Sequence, residues 1–198
     1  SLKFRPDFIA HLLEDNHTIA AMSPARLMVL PETALPLLTE HLPPGYLERF
    51  AQLARKSGGD LVLGVFERDA GGQIFNAAIS LGASPGQRYA KSHLVPFGEF
   101  SPPLFSWVYS LLKIPLSDQT RGAAAQPPLS IAGEKVAVNI CYEPDGSVRA
   151  QLPAFTRGVL QVLVRGTTGE TPYVRWGNLP LVLGCLMLLG LVWFARRR

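Results

Sequence analysis

The 198-residue sequence predicts an α/β fold with covered sheets, followed by an apolar C-terminal helix. Three observations carry that expectation. Several short runs are continuously apolar, as in strands buried on both faces. Segments with helically spaced apolar residues are interleaved with them. Residues 179–195, LPLVLGCLMLLGLVWFA, contain no charged side chain.

In chain order, residues 7–22 carry Phe8, Leu12, Leu13 and Ile19 at helical spacing, and Pro24 closes the run. Residues 27–30 form a short apolar strand that stops at Pro31, Glu32 and Thr33. Residues 46–56 repeat the helical pattern through Leu47, Phe50, Leu53 and Ala54, and end at Ser57, Gly58 and Gly59. Residues 61–66 and 74–81 read as buried strands, with 69–72 as the turn of a hairpin. A further short strand is expected over 88–94, an apolar helix over 102–113 and a buried strand over 135–141. Pro144, Asp145 and Gly146 signal a turn before strands at 148–152 and 159–164. No internal repeat or low-complexity tract interrupts the pattern.

Composition narrows the function classes. Hydrophobic residues make up 47% of the chain and charged ones 17%, a low charge content for a soluble domain. Arg196, Arg197 and Arg198 supply three of the four net positive charges. The rest carries no basic stripe, which excludes a nucleic-acid partner. A bilayer core takes about 20 apolar residues, with a lower limit near 17, so 179–195 is just long enough to span. Trp176 and Trp193 fall at headgroup level, and the arginines after them place the C-terminus in the cytoplasm. Residues before Trp176 are then expected outside it. The competing reading is a buried core helix with a basic tail.

Cys185 would sit within that span and could not pair with Cys141, which leaves Cys141 a lone thiol in an oxidising compartment. Ser1 to Arg5 lead straight into the amphipathic segment with no cleavable signal peptide, so further membrane helices upstream of Ser1 are expected.

Three polar residues stand where strands end: Glu32, Lys91 and Cys141. A rigid sheet positions such groups well. A carboxylate takes a thiol proton and returns it to a leaving group. The thiolate attacks a carbonyl, and an ammonium stabilises the oxyanion that forms. Singly, each also has a plainer reading. Glu32 reads as a helix cap, Lys91 as a solvated surface residue and Cys141 as a small core side chain.

The local motifs favour the chemical reading. PETALP at 31–36, RYAKSHLVPFGEF at 88–100 and NICYE at 139–143 resemble the Glu, Lys and Cys motifs of the nitrilase superfamily. In detail they are similar to its apolipoprotein N-acyltransferase branch, KSHLVPFGEF being the most specific. Similarity continues through SLKF at 1–4, RGAAAQPPLS at 121–130 and TPYVRWGNLP at 171–180, nearly the whole chain.

The resemblance implies a nitrilase-like αββα sandwich over 1–175 and a transmembrane helix with a basic cytoplasmic tail over 176–198. It implies Glu32 as general base, Lys91 as oxyanion stabiliser and Cys141 as nucleophile, with Glu99, Tyr142 and Glu143 in support. Glu99 or Glu143 would orient Lys91 or assist the oxyanion; the other reading of both is ion-paired carboxylates. The implied reaction moves an acyl chain from a phospholipid, typically phosphatidylethanolamine, to a Cys141 thioester. The chain then passes to the N-terminal amine of a diacylglyceryl-cysteine apolipoprotein. Neither cofactor nor metal enters. The implied site is the bacterial inner membrane, with the catalytic part on the periplasmic side.

The chain departs from the family pattern after Glu143. The family continues with a helix, a strand, an aromatic loop, a long helix and another strand, whereas PDGSVRAQLP follows here. Read literally, the strand at 135–141 would turn straight into 148–152, losing a core strand and its covering helix at a severe cost in stability. Either the chain carries an internal deletion, or its sequence joins two stretches across an omitted segment. A flexible lid over a lipid site favours the second. Two other functions compete with acyl transfer. One is a membrane-tethered nitrilase-like amidase with the same three residues, the other a non-catalytic binding module. PFGEF and the C-terminal apolar run favour the acyltransferase.

Overall fold

The computed structural model describes residues 6–95, 99, 119–140, 152–153, 156, 158–163 and 175–196. It divides into two compact units, Ser1–Val162 and Leu163–Arg198. In chain order, the first unit holds α1 (Pro6–Ala21), β1 (Leu27–Val29), α2 (Tyr46–Lys56), β2 (Asp60–Arg68), β3 (Ile74–Gly82), β4 (Arg88–Ala90), β5 (Leu129–Ile131) and β6 (Glu134–Val136). The second holds α3 (Leu179–Arg196).

The β2–β3 hairpin is the centre of the first unit, in register from Asp60 opposite Gly82 to Arg68 opposite Ile74. Its turn is closed by Asp69, whose Oδ1 accepts the Gln73 amide at 2.8 Å. β1 adds in parallel to β2 and β4 antiparallel to β3, giving the order β1-β2-β3-β4. This mixed sheet with helices places the fold in the α/β class.

Alternation along β2 explains its unbroken apolar sequence. Leu61, Leu63 and Val65 pack in a core with Leu13 of α1 and Phe50 and Ala54 of α2. Val62 belongs instead to a second core with Ala78, Leu129, Ile131 and Ile140. Successive strand side chains point to opposite faces, so both faces of β2 are covered. Each large apolar side chain buried this way contributes about 1.5–3 kcal/mol.

α2 follows the predicted periodicity, burying Tyr46, Phe50, Ala51 and Ala54 along one stripe. The Tyr46 hydroxyl donates to the Leu13 carbonyl at 2.7 Å, and the Tyr46 ring meets Phe50 edge-on at 5.2 Å. Burial pushes the Tyr46 phenol up to about 12.

From the start of β2, Asp60 ties the strand to Ser84 and to the β5–β6 turn. Its Oδ1 accepts the Ser84 amide at 2.8 Å. Its Oδ2 accepts the Ser84 hydroxyl and the Ala132 amide, each at 2.6 Å. Burial alone would push the Asp60 carboxyl up, but these donors outweigh it and hold the group below its usual range.

Three strand expectations need correction. The strand expected over 88–94 ends at Ala90, because the backbone of Lys91 then turns to bond Asn76 on one side and Gly122 on the other. Of the strand expected over 135–141, only 135 and 136 are strand, within β6 of the short β5–β6 hairpin; 137–140 form none, and Cys141 lies outside the described residues. Residues 159–163 form no strand, and Leu163 is 88% exposed; an apolar run signals burial but supplies no pairing partner. The helix expected over 102–113 and residues 148–151 lie outside the described residues.

In the second unit, the run expected as a span is helical. α3 exposes Leu181, Val182, Leu183, Leu186, Leu188 and Leu189. Among the described residues, no helix is long and apolar enough to cross a membrane. The expected helix is present; its transmembrane character is not carried by the fold.

Candidate active site

Glu32 is set by the end of β1. Beyond Val29 the Leu30 amide still bonds Val62 at 2.8 Å, and the chain then turns through Pro31, Glu32 and Thr33. Thr33 takes φ 56, a left-handed conformation that a β-branched residue rarely adopts. The turn is held from both sides. Ala34 donates back to the Pro31 carbonyl at 3.2 Å, and Asn16 of α1 donates to the Ala34 carbonyl at 2.6 Å. Gly64 of β2 lies directly beneath: a Cβ there would stand 3.0 Å from Glu32 Cα and 3.1 Å from the Pro31 carbonyl. A side chain there would press on backbone that has to shift by a few tenths of an ångström, so glycine suits this close approach.

Lys91 is set by the end of β4. Its amide donates to the Asn76 carbonyl at 2.8 Å, and its own carbonyl accepts the Gly122 amide at 2.9 Å. The side chain turns inward and has no exposed surface. Its Nζ donates to Glu99 Oε1 at 2.7 Å and to Glu32 Oε1 at 3.3 Å. Burial pulls the Lys91 ammonium down. The hydrogen bond it donates to Glu99 and the charges of Glu32 and Glu99 outweigh that and raise it above its ordinary value. Lys91 is therefore a fixed cation across the neutral range.

Glu99 is anchored in turn. Its Oε2 accepts the Val95 amide at 3.0 Å and its carbonyl accepts the Gln119 amide at 2.9 Å. The solvated-surface reading of Lys91 is thus wrong for this fold. A buried ammonium needs paired carboxylates, and two converge on it.

Asn76 of β3 was not singled out from sequence. Its side-chain amide donates to Glu32 Oε1 at 2.7 Å, and it is buried. The available signal was a polar side chain within the apolar strand IFNAAISLG.

Glu32, Asn76 and Asn139 are the polar residues lining a cavity of about 230 Å³, whose apolar lining includes Leu30, Val62, Val138 and Ile140. Ile140 immediately precedes Cys141 in sequence. Cys141, Tyr142 and Glu143 lie outside the described residues. Among the described residues, no group of three His, Cys, Asp or Glu side chains converges as a metal site. The described cluster offers a carboxylate open to a cavity and a buried cation beside it. Such a pair serves proton transfer and stabilisation of a developing oxyanion.

Residues 7–144 match the carbon-nitrogen hydrolase family, and the chain belongs to that family. Over its whole length it is similar to apolipoprotein N-acyltransferases. That of Chromobacterium violaceum is 36% identical, with all of this chain aligned to 51% of that protein. The Nitrosomonas europaea protein is 33% identical, with all of this chain aligned to 54% of it. The chain spans about half the length of the curated relatives it matches. The Chromobacterium alignment runs over 265 residues against 198 here, so at least 67 of its positions have no counterpart in this chain. The family match ends at 144, beside the Glu143–Pro144 departure. A solved N-terminal amidase matches 44% of this chain at 16% identity with a TM-score of 0.37, a likeness too slight to carry an argument.

Proposed function

We propose that this chain moves an acyl group from a phospholipid, through a thioester on Cys141, to the N-terminal amine of a diacylglyceryl-cysteine lipoprotein. The observation that carries the reading is the Lys91 ammonium buried between Glu32 and Glu99, beside a cavity shared by Glu32 and Ile140. Similarity to apolipoprotein N-acyltransferases supports an apolipoprotein acceptor and N-acyl transfer; the phospholipid donor and the thioester are proposed from the motif resemblance.

In the first half-reaction, Glu32 takes the proton from Cys141 Sγ and the thiolate attacks the ester carbonyl. Lys91 donates to the oxyanion while Glu99 holds it in place. Collapse expels the lysophospholipid oxygen, which recovers the proton from Glu32. In the second, the lipoprotein amine attacks the thioester, Glu32 takes the amine's proton, and the departing thiolate is reprotonated. A thioester is reactive enough toward an amine that no cofactor, nucleotide or metal is needed. Tyr142 and Glu143, adjacent to the nucleophile, are assigned a supporting role by their motif alone.

The same reading assigns residues 1–175 to a nitrilase-like αββα sandwich and 176–198 to a membrane anchor. A helix apolar on every side is stable in lipid or in a core, and the side chains exposed on α3 favour lipid. Arg196, Arg197 and Arg198 would keep the C-terminus in the cytoplasm of a bacterial inner membrane, with the site outside. A C-terminal reporter active only outside the cytoplasm should stay silent, while one fused before Trp176 should work. The reverse pattern would remove the extracytoplasmic site.

The transfer itself tests the function. Supplied with phosphatidylethanolamine vesicles and a synthetic diacylglyceryl-cysteine peptide, the protein should add a third acyl chain in amide linkage. Free fatty acid with an unchanged peptide would identify the membrane-tethered amidase instead, and neither product would identify a binding module.

A further inference from the structure

Both polar contacts made by Glu32 among the described residues fall on one oxygen. Asn76 Nδ2 donates to Oε1 at 2.7 Å and Lys91 Nζ donates to the same Oε1 at 3.3 Å. Oε2 accepts from none of the described residues, and Glu32 borders the cavity that extends to Ile140. The Asn76 amide has to present its nitrogen here, since its own oxygen would face a carboxylate oxygen with no proton between them.

Asn76 is itself rigidly held. It is 3% exposed, pairs with Phe66 across the β2–β3 ladder, and accepts the Lys91 amide on its carbonyl at 2.8 Å. One strand residue thus sets the direction of the Glu32 carboxylate through its side chain and the departure of Lys91 through its backbone.

We propose that Asn76 is a positioning residue that, with Lys91, clamps Oε1 of Glu32 and so makes Oε2 the oxygen that takes the Cys141 proton. The inference rests on the reading of Glu32 as base for Cys141. A two-donor clamp has a chemical point. It stops the carboxylate from rotating and leaves Oε2 without a donor among the described residues, so the proton has one destination.

The test is the pre-steady-state burst of p-nitrophenolate when the full chain meets p-nitrophenyl butyrate. In that step the butyryl group moves from the phenolic oxygen to Cys141 Sγ, the thiol proton goes to Glu32, and p-nitrophenolate leaves. This readout requires neither phospholipid nor lipoprotein. The acid limb of burst rate against pH should move upward by about one to two units in Asn76→Ala, the scale of one charge-assisted hydrogen bond. Asn76→Asp, of the same shape but without the donor, should move it at least as far. Asn76→Ser, which keeps a shorter donor, should fall between Asn76→Ala and the parent and remains informative if Asn76→Ala fails to fold.

A burst that drops equally at every pH, with the acid limb unmoved in all three variants, would make Asn76 merely structural and overturn the inference. Glu32→Gln separates the two levels. If it abolishes the burst while the Asn76 variants leave the limb unmoved, the clamp alone is wrong. If Glu32→Gln keeps the parental burst and limb, the base assignment fails and the clamp fails with it.

Discussion

Glu32→Gln is expected to slow acylation of Cys141 by about 10²–10⁴-fold, the usual cost of losing a positioned base. The substitution keeps the side chain's size. Its carbonyl oxygen can still accept from Asn76 and Lys91, whose donors lie 2.7 and 3.3 Å from Oε1 in the parent. What changes is the second carboxylate position, where an amide nitrogen replaces an oxygen able to take a proton. Lys91 keeps Glu99 at 2.7 Å, so the cation stays paired and the fold should persist. Loss of rate with near-parental thermal stability is therefore the expected signature, read from single-turnover burst rates and a melting curve. A burst within a few-fold of the parent's would remove Glu32 from the proton path.

Lys91→Ala should cost about 10²–10³ in the same rate, as for loss of one oxyanion donor, and it should also cost stability. Removing the ammonium leaves Glu32 and Glu99 facing the same buried space without a cation. Breaking a buried pair in this way is worth about 3–5 kcal/mol. Glu99→Gln combined with Lys91→Ala relieves part of that cost and should recover stability without recovering rate.

The pH dependence separates the effects further. The Lys91 ammonium is held above its ordinary value because its carboxylate partners outweigh burial. Its contribution to stability is thus fully present below the unfolded value of about 10.4, and is lost as pH rises through the higher folded value. The parent should lose denaturant resistance in that alkaline window, and Lys91→Ala should lack that component. Equal alkaline losses in both proteins would contradict the pairing.

Local patterns reveal some parts of this fold and hide others. The helical spacing at 46–56 coincides with α2, because Tyr46, Phe50 and Ala54 mark its buried stripe in the sequence itself. β2 and β3 are equally plain: two apolar runs flank a polar turn, and they pair with each other. The β5–β6 hairpin is not. Its turn places Ala132 at φ 51 and Gly133 at φ 80, and alanine is a poor predictor of a positive φ. Contacts distant in sequence hold it there: Arg26 Nη2 donates to the Ala132 carbonyl at 2.8 Å, and Asp60 accepts the Ala132 amide.

The site divides in the same way. Glu32 and Lys91 were readable from motifs, and the fold brings their side chains together across 59 residues of sequence. Asn76 was hidden, because its partner is 44 residues away and nothing in strand β3 names it. Glu99 could be read as a carboxylate near the site, but spacing does not encode that its side chain meets Lys91 at 2.7 Å.

The proposed transfer requires Cys141 to carry the acyl group. The direct measurement is mass spectrometry of the full chain after incubation with phosphatidylethanolamine vesicles, followed by peptide mapping. One added acyl chain is expected on the peptide containing Cys141. The adduct should be removed by neutral hydroxylamine and absent from Cys141→Ser, and a diacylglyceryl-cysteine peptide should discharge it. Transfer to that peptide with no adduct on Cys141, or with undiminished turnover by Cys141→Ser, would contradict it.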